Sequence, residues 1–159
     1  MKADVRAFIA IELTADIGRA LAALQKRLKG HDLDLRWVRP QNIHLTLKFL
    51  GDIEADRIPA ISAAMQGVTD ASPAFQLAVQ GLGVFPGIRR ARVLWTGLGG
   101  ATEELLALHR RLEDALADLD MERENRPFKG HLTLARIKKP VDPGRLLDAL
   151  QAEGSFAGL

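Results

Sequence analysis

The sequence predicts a mixed α+β fold built mainly on antiparallel pairing. Short strand-like runs alternate with amphipathic helical stretches, several strands alternate apolar and polar residues, and two strands are joined by a loop suited to a hairpin. The 159 residues, 47% of them apolar, suffice for one compact domain with a substantial core.

Residues 6–13 form an apolar run bounded by polar residues and read as a buried strand, with Phe8 in the core. Thr14 is placed to cap a helix, with Ile17, Leu21, Leu24 and Leu28 at helical spacing and Gly30 as its stop. Residues 36–38 read as a short strand ended by Pro40. Residues 43–49 alternate in polarity and read as a strand with one buried face; Phe49 is expected in the core and Gly51-Asp52 as a turn. Ile58, Ile61 and Met65 mark a second helix, whose first turn must contain Pro59 because proline has no N–H to donate deeper inside. Residues 75–82 and 91–97 read as a hairpin joined through Gly83-Val-Phe-Pro-Gly87. Gly97-Leu-Gly-Gly100 lacks the Lys-Ser/Thr ending of a phosphate loop and reads as a turn into a third helix. That helix is expected to be capped by Thr102, with Leu105, Leu108, Leu112, Leu116 and Leu119 on one stripe. His109 lies off that stripe beside Arg110 and Arg111 and is expected in solvent; His31 follows a helix end. Residues 131–137 form a further strand, and Asp142-Pro143 opens a last helix through Leu150. The chain stops soon afterwards at Leu159, so an open sheet edge is expected there.

Composition excludes several classes of chemistry. There is no cysteine, which removes disulfides, thiolate catalysis and cysteine metal sites. No apolar run approaches the roughly 20 residues of a membrane span. The first six residues do not resemble a secretory signal, so a cytoplasmic protein is expected. The net charge of +2 does not by itself indicate nucleic acid. Its distribution is more informative: Arg89, Arg90 and Arg92 cluster, Arg36, Arg39 and Lys48 surround His44, and Arg126, Lys129, Arg136, Lys138 and Lys139 surround His131. Trp37 and Trp95 can stack a base, although such residues more often belong to a core.

The strongest feature is an internal repeat. Pro40-Gln-Asn-Ile-His44-Leu-Thr-Leu47 matches Pro127-Phe-Lys-Gly-His131-Leu-Thr-Leu134, with proline four positions before histidine in both. In a strand, residues i and i+2 share a face. His44 and Thr46 therefore point one way while Leu45 and Leu47 fill the core behind them; His131 and Thr133 relate to Leu132 and Leu134 in the same way. Two such faces lining one cleft would present two imidazoles and two hydroxyls. That set suits in-line displacement at phosphorus, one imidazole accepting a proton from water and one imidazolium donating to the leaving oxygen. Histidine, with an ordinary pKa of about 6.5, populates both states near neutral pH. The threonine hydroxyls can donate to non-bridging oxygens as charge develops. Lys48 and Lys129 share strand parity with their histidines and are candidate substrate-binding cations. A zinc site would need a third ligand, and no motif places one.

These residues resemble the 2H phosphoesterase superfamily, and within it the RNA 2',3'-cyclic phosphodiesterases, historically called 2'-5' RNA ligases. The resemblance spans nearly the whole chain, through Phe8-Ile-Ala-Ile11, Trp37-Val38, His44-Leu-Thr-Leu-Lys-Phe-Leu-Gly51, Phe85-Pro86, Arg92-Val-Leu-Trp95 and Pro127 to Arg136. It implies one bilobal α+β domain over residues 1–159, whose pseudo-symmetric lobes of mainly antiparallel sheet carry outer helices and flank a central cleft. It further implies hydrolysis of RNA 2',3'-cyclic phosphate ends to 2'-phosphomonoesters without metal or other cofactor. His44 would be the proton donor to the leaving 3' oxygen and His131 the acceptor that activates water. The implied partner is RNA with a cyclic phosphate end, tRNA fragments included, acted on by a monomer away from membranes; reversible 2'-5' ligation is also implied. Such proteins usually continue past the last helix into a C-terminal strand, which this chain is expected to lack. The competing reading is a non-catalytic module that binds single-stranded RNA ends or nucleotides.

Overall fold

The computed structural model describes residues 3–158. Every strand pair with a defined register is antiparallel, as expected for an α+β chain. The chain divides into two compact units. Unit 1 comprises the chain up to Ala10, Thr46–Gln76 and Ala101–Lys129; unit 2 comprises Ile11–Leu45, Leu77–Gly100 and the chain from Gly130. Among the described residues, no helix is long and apolar enough to cross a membrane.

Unit 1 holds β1 (Asp4–Ile11), which lies beside β3 (Leu45–Glu54), together with α2 (Ile58–Asp70) and α3 (Thr102–Ala117). The two helices pack against each other, and Ile61 and Val68 of α2 and Leu105, Leu112 and Leu116 of α3 are buried. Pro59 stands in the first turn of α2, where its missing N–H costs nothing. Four expectations are corrected here. Within β1 only Ile9 is buried, while Phe8 is 47% and Phe49 73% exposed, their rings paired at 6.2 Å. A two-stranded sheet is too narrow to bury both faces of an apolar run. Gly51-Asp52 does not end the strand; Gly51 takes φ +69, a conformation glycine adopts without a Cβ clash, and β3 continues to Glu54. Thr102 is the first helical residue rather than the cap, the cap position being Ala101. His109 is only 8% exposed. The buried stripe of α3 departs from the expected leucine stripe: it runs Leu105, His109, Leu112, Glu113, Leu116, while Leu108 is half-buried and Leu119 lies past the helix end.

Unit 2 is a five-stranded sheet in the order β2 (Arg36–Trp37), β6 (Leu132–Arg136), β5 (Val93–Gly100), β4 (Leu77–Phe85), β7 (Ala157–Gly158). It also holds α1 (Ala15–Lys29) and α4 (Pro143–Glu153), which contact each other. The Thr14 hydroxyl accepts from Ile17 N at 3.4 Å and an Asp142 carboxylate oxygen accepts from Arg145 N at 3.1 Å, so each helix begins on a side-chain cap. Leu21, Leu24, Leu28, Leu94, Leu132, Leu134 and Leu146 are all fully buried. The Gln25 amide, also buried, donates to Val38 O at 2.7 Å and Leu134 O at 3.0 Å, which satisfies carbonyls where β6 bulges.

The hairpin is longer than expected. β4 runs on through Gly83-Val-Phe85, and Gly97–Gly100 belongs to β5 rather than to a turn. A Cβ on Gly99 would lie 2.5 Å from Gln80 Oε1, so this glycine makes room for a cross-strand side chain. Gly81 bulges at φ +75 between Gln80 and Leu82, and its carbonyl accepts from Thr96 Oγ1 at 2.7 Å. At the edge expected to be open, the two-residue β7 pairs with Val79 and Gln80 of β4.

Candidate active site

The two tetrapeptides fold alike. In each, histidine immediately precedes a strand whose first residue is the leucine, Leu45 of β3 and Leu132 of β6. Burial repeats position by position: His44 and His131 are half-buried, Leu45 and Leu132 buried, Thr46 and Thr133 half-buried, Leu47 and Leu134 buried. The match runs two residues further, to buried Lys48 and Ala135 and then to exposed Phe49 and Arg136.

Both histidines belong to unit 2. Antiparallel pairing of Trp37 with Ala135, continued by Val38 N donating to Leu134 O at 2.9 Å, carries β2 toward the start of β6, where His131 stands. A 3-10 turn over Pro40–Asn42 follows, and then His44. An open groove of about 620 Å³ lies beside His44, between that turn and the start of α1, with Glu12, Thr14, Arg19 and Gln41 along it.

His131 sits against an aromatic wall of Phe85 and Trp95; the sequence marks Trp95 as able to stack a base but does not place either ring at this histidine. Phe85 meets the imidazole edge-on at 5.0 Å and 88°, Trp95 lies 6.4 Å away, and the two aromatic rings are 4.9 Å apart. Strand register explains the wall. Gly83, Trp95 and Thr133 form one row across β4, β5 and β6. A Cβ on Gly83 would fall 2.2 Å from Trp95 Cζ2, so the indole lies flat only because that residue is glycine. Trp95 Nε1 is buried and makes no hydrogen bond among the described residues. Trp37 stands elsewhere, with the Lys29 ammonium 5.6 Å over its ring. Arg89, Arg90 and Arg92 are exposed on the segment after Phe85.

The candidate cations part company. Lys129 is exposed, two residues before His131. Lys48 is buried in unit 1 and donates to Glu113 Oε1 at 2.9 Å, Glu113 Oε2 at 3.0 Å and Glu122 O at 2.8 Å. His109 joins this cluster, its Nε2 3.6 Å from Glu113 Oε1 and its ring stacked on Phe128 at 4.2 Å. Burial lowers the His109 pKa, and the Lys48 charge adds to that effect, while Glu113, Glu124 and a backbone hydrogen bond to Leu47 oppose it. Between the ordinary value of about 6.5 and the lowered one, the unfolded chain therefore binds a proton that the folded chain does not. Stability is expected to fall as pH drops through that window. His109→Phe, which keeps the stack on Phe128, should lose less stability than wild type between pH 7.5 and 5.5 in urea titrations. Equal losses would show that His109 is not responsible.

A family model described as LigT-like phosphoesterase matches residues 11–95 and 99–157. The chain belongs to the LigT-like phosphoesterases. An RNA 2',3'-cyclic phosphodiesterase of Methanothermobacter thermautotrophicus is 31% identical over 146 residues, 92% of this chain and 78% of that protein. Among solved structures, a Thermus thermophilus protein matches with a TM-score of 0.74 at 28% identity, covering 87% of this chain and 77% of that one. Escherichia coli LigT complexed with 3'-AMP matches at 0.68 and 27%, covering 88% and 79%. Membership in the LigT-like phosphoesterases makes this chain an enzyme of phosphoester hydrolysis, the chemistry expected from its paired histidines.

Proposed function

We propose that this phosphoesterase opens RNA 2',3'-cyclic phosphates to 2'-phosphomonoesters, with His44 and His131 as its acid–base pair. The observation that carries the proposal is the repeated arrangement at two strand entries, each with a half-buried histidine, a half-buried threonine and two buried leucines. The names of the curated relatives support the same substrate.

Neutral His131 takes a proton from water as the water oxygen bonds to phosphorus. Protonated His44 gives its proton to the 3' oxygen as the P–O3' bond breaks, which leaves a 2'-phosphate and a free 3' hydroxyl. Thr46 and Thr133 donate to the non-bridging oxygens, and the exposed Lys129 adds positive charge nearby. A 5' hydroxyl in place of water would use the same groups to form a 2'-5' linkage. RNA ends, tRNA fragments among them, are the substrates, and the chain works as a cytoplasmic monomer without a metal.

Incubation of an oligonucleotide 2',3'-cyclic phosphate with the protein in EDTA should yield a product with phosphate on the 2' oxygen, identified by phosphorus NMR. Retained binding without product would establish the non-catalytic reading instead.

A further inference from the structure

The proposed chemistry leaves the buried charges of unit 1 without a role. Lys48 is 9% and Glu113 7% exposed, and all three ammonium hydrogens of Lys48 have acceptors. Glu113 Oε2 also accepts from Glu124 N at 3.4 Å. Stability alone does not account for such a pair. Desolvation of two charges offsets most of their attraction, and an apolar pair of similar volume often serves as well or better. The chain contains its own comparison: the position that matches Lys48 in the second motif is Ala135, fully buried and uncharged. The matched position in the second motif is thus buried without a charge.

The charge adds direction. Apolar contacts tolerate sliding, whereas an ammonium held by both oxygens of one carboxylate and by a carbonyl has a single geometry. The groups it joins lie on β3, on α3 and on the segment 122–128, where Phe128 is fixed by its stack on His109. β3 is the strand entered through His44, and residues 122–128 lead into His131.

We infer that Lys48, through Glu113 and the Glu122 carbonyl, is a positioning residue: within unit 1 it fixes the spacing of the two chain segments adjoining the motif histidines. The inference rests on the proposed two-histidine reaction. Displacing a catalytic group by about 1 Å can cost about 10²-fold in rate, so a looser cluster acts on kcat before it acts on binding.

The test is the double variant Lys48→Met/Glu113→Leu, which conserves volume and leaves neither charge alone. It should melt cooperatively near the wild-type temperature, keep KM for a nucleoside 2',3'-cyclic phosphate within about twofold, and lose about tenfold or more in kcat. Wild-type kcat in the folded variant would overturn the inference. If the double variant does not melt cooperatively, Glu113→Gln decides: it keeps an acceptor for Lys48, and it should lower kcat by about threefold with KM unchanged. Wild-type kcat there would again overturn the inference. Absence of turnover in the wild type would instead refute the proposed reaction. Positioning is then read from the imidazole Cε1–H resonances of His44 and His131, which should shift in the variant and which, if unmoved, would also overturn it.

Discussion

His131→Ala is expected to lower kcat for a 2',3'-cyclic phosphate by about 10²–10⁴-fold, and His44→Ala by a similar factor. That range corresponds to about 3–5 kcal/mol of transition-state stabilisation. Each ring is half-buried at a strand entry rather than in the core, so thermal stability should change little. The double variant should be scarcely worse than either single one, because an acid and a base acting in one displacement fail together. The wild-type kcat/KM should be bell-shaped in pH, reporting one group that must be deprotonated and one that must be protonated. The assignment of roles has its own test. On an aryl phosphodiester whose leaving group needs no protonation, the proton donor becomes dispensable. His44→Ala should then regain most of its activity, while His131→Ala should not. Rescue of His131→Ala alone would exchange the roles, and full activity in both single variants would refute the pair.

The second large effect is on stability, one residue further along the chain. Leu132→Ala should destabilise the protein by about 2–5 kcal/mol, the loss of a fully buried leucine plus the cavity it leaves. Leu132 is 0% exposed and Leu45, its counterpart, 2%, so Leu45→Ala should behave alike. Urea titration measures both. Neighbouring residues in each motif thus carry opposite signatures, with chemistry on the histidine and stability on the leucine. A loss below about 1 kcal/mol at Leu132 would contradict a side chain buried in a close-packed core.

That alternation was legible in the sequence because strand period is a local property. A residue's parity fixes its face once the strand is recognised, and the repeat marked two such strands. The Thr14 and Asp142 caps, Pro59 in a first turn and the leucine face of α1 were legible for the same reason, since each depends on neighbours within a few positions. Sequence alone therefore determined the fold class and the alternating burial of the two motifs. Only the tertiary structure decided what surrounds them. Phe85 and Trp95 reach His131 through strand register and through the glycine at position 83, which no periodicity reveals. The exposure of Phe8 and Phe49 depends on how narrow the sheet of unit 1 is, not on their hydrophobicity. Lys48 shares parity with His44 and for that reason reads from sequence as a substrate-binding cation; its partner Glu113 lies 65 residues away on a helix. Burial of a charge depends on a partner from a distant segment, because only a paired charge can leave water at tolerable cost. Local patterns fixed which face each residue takes, and long-range pairing decided what it meets there.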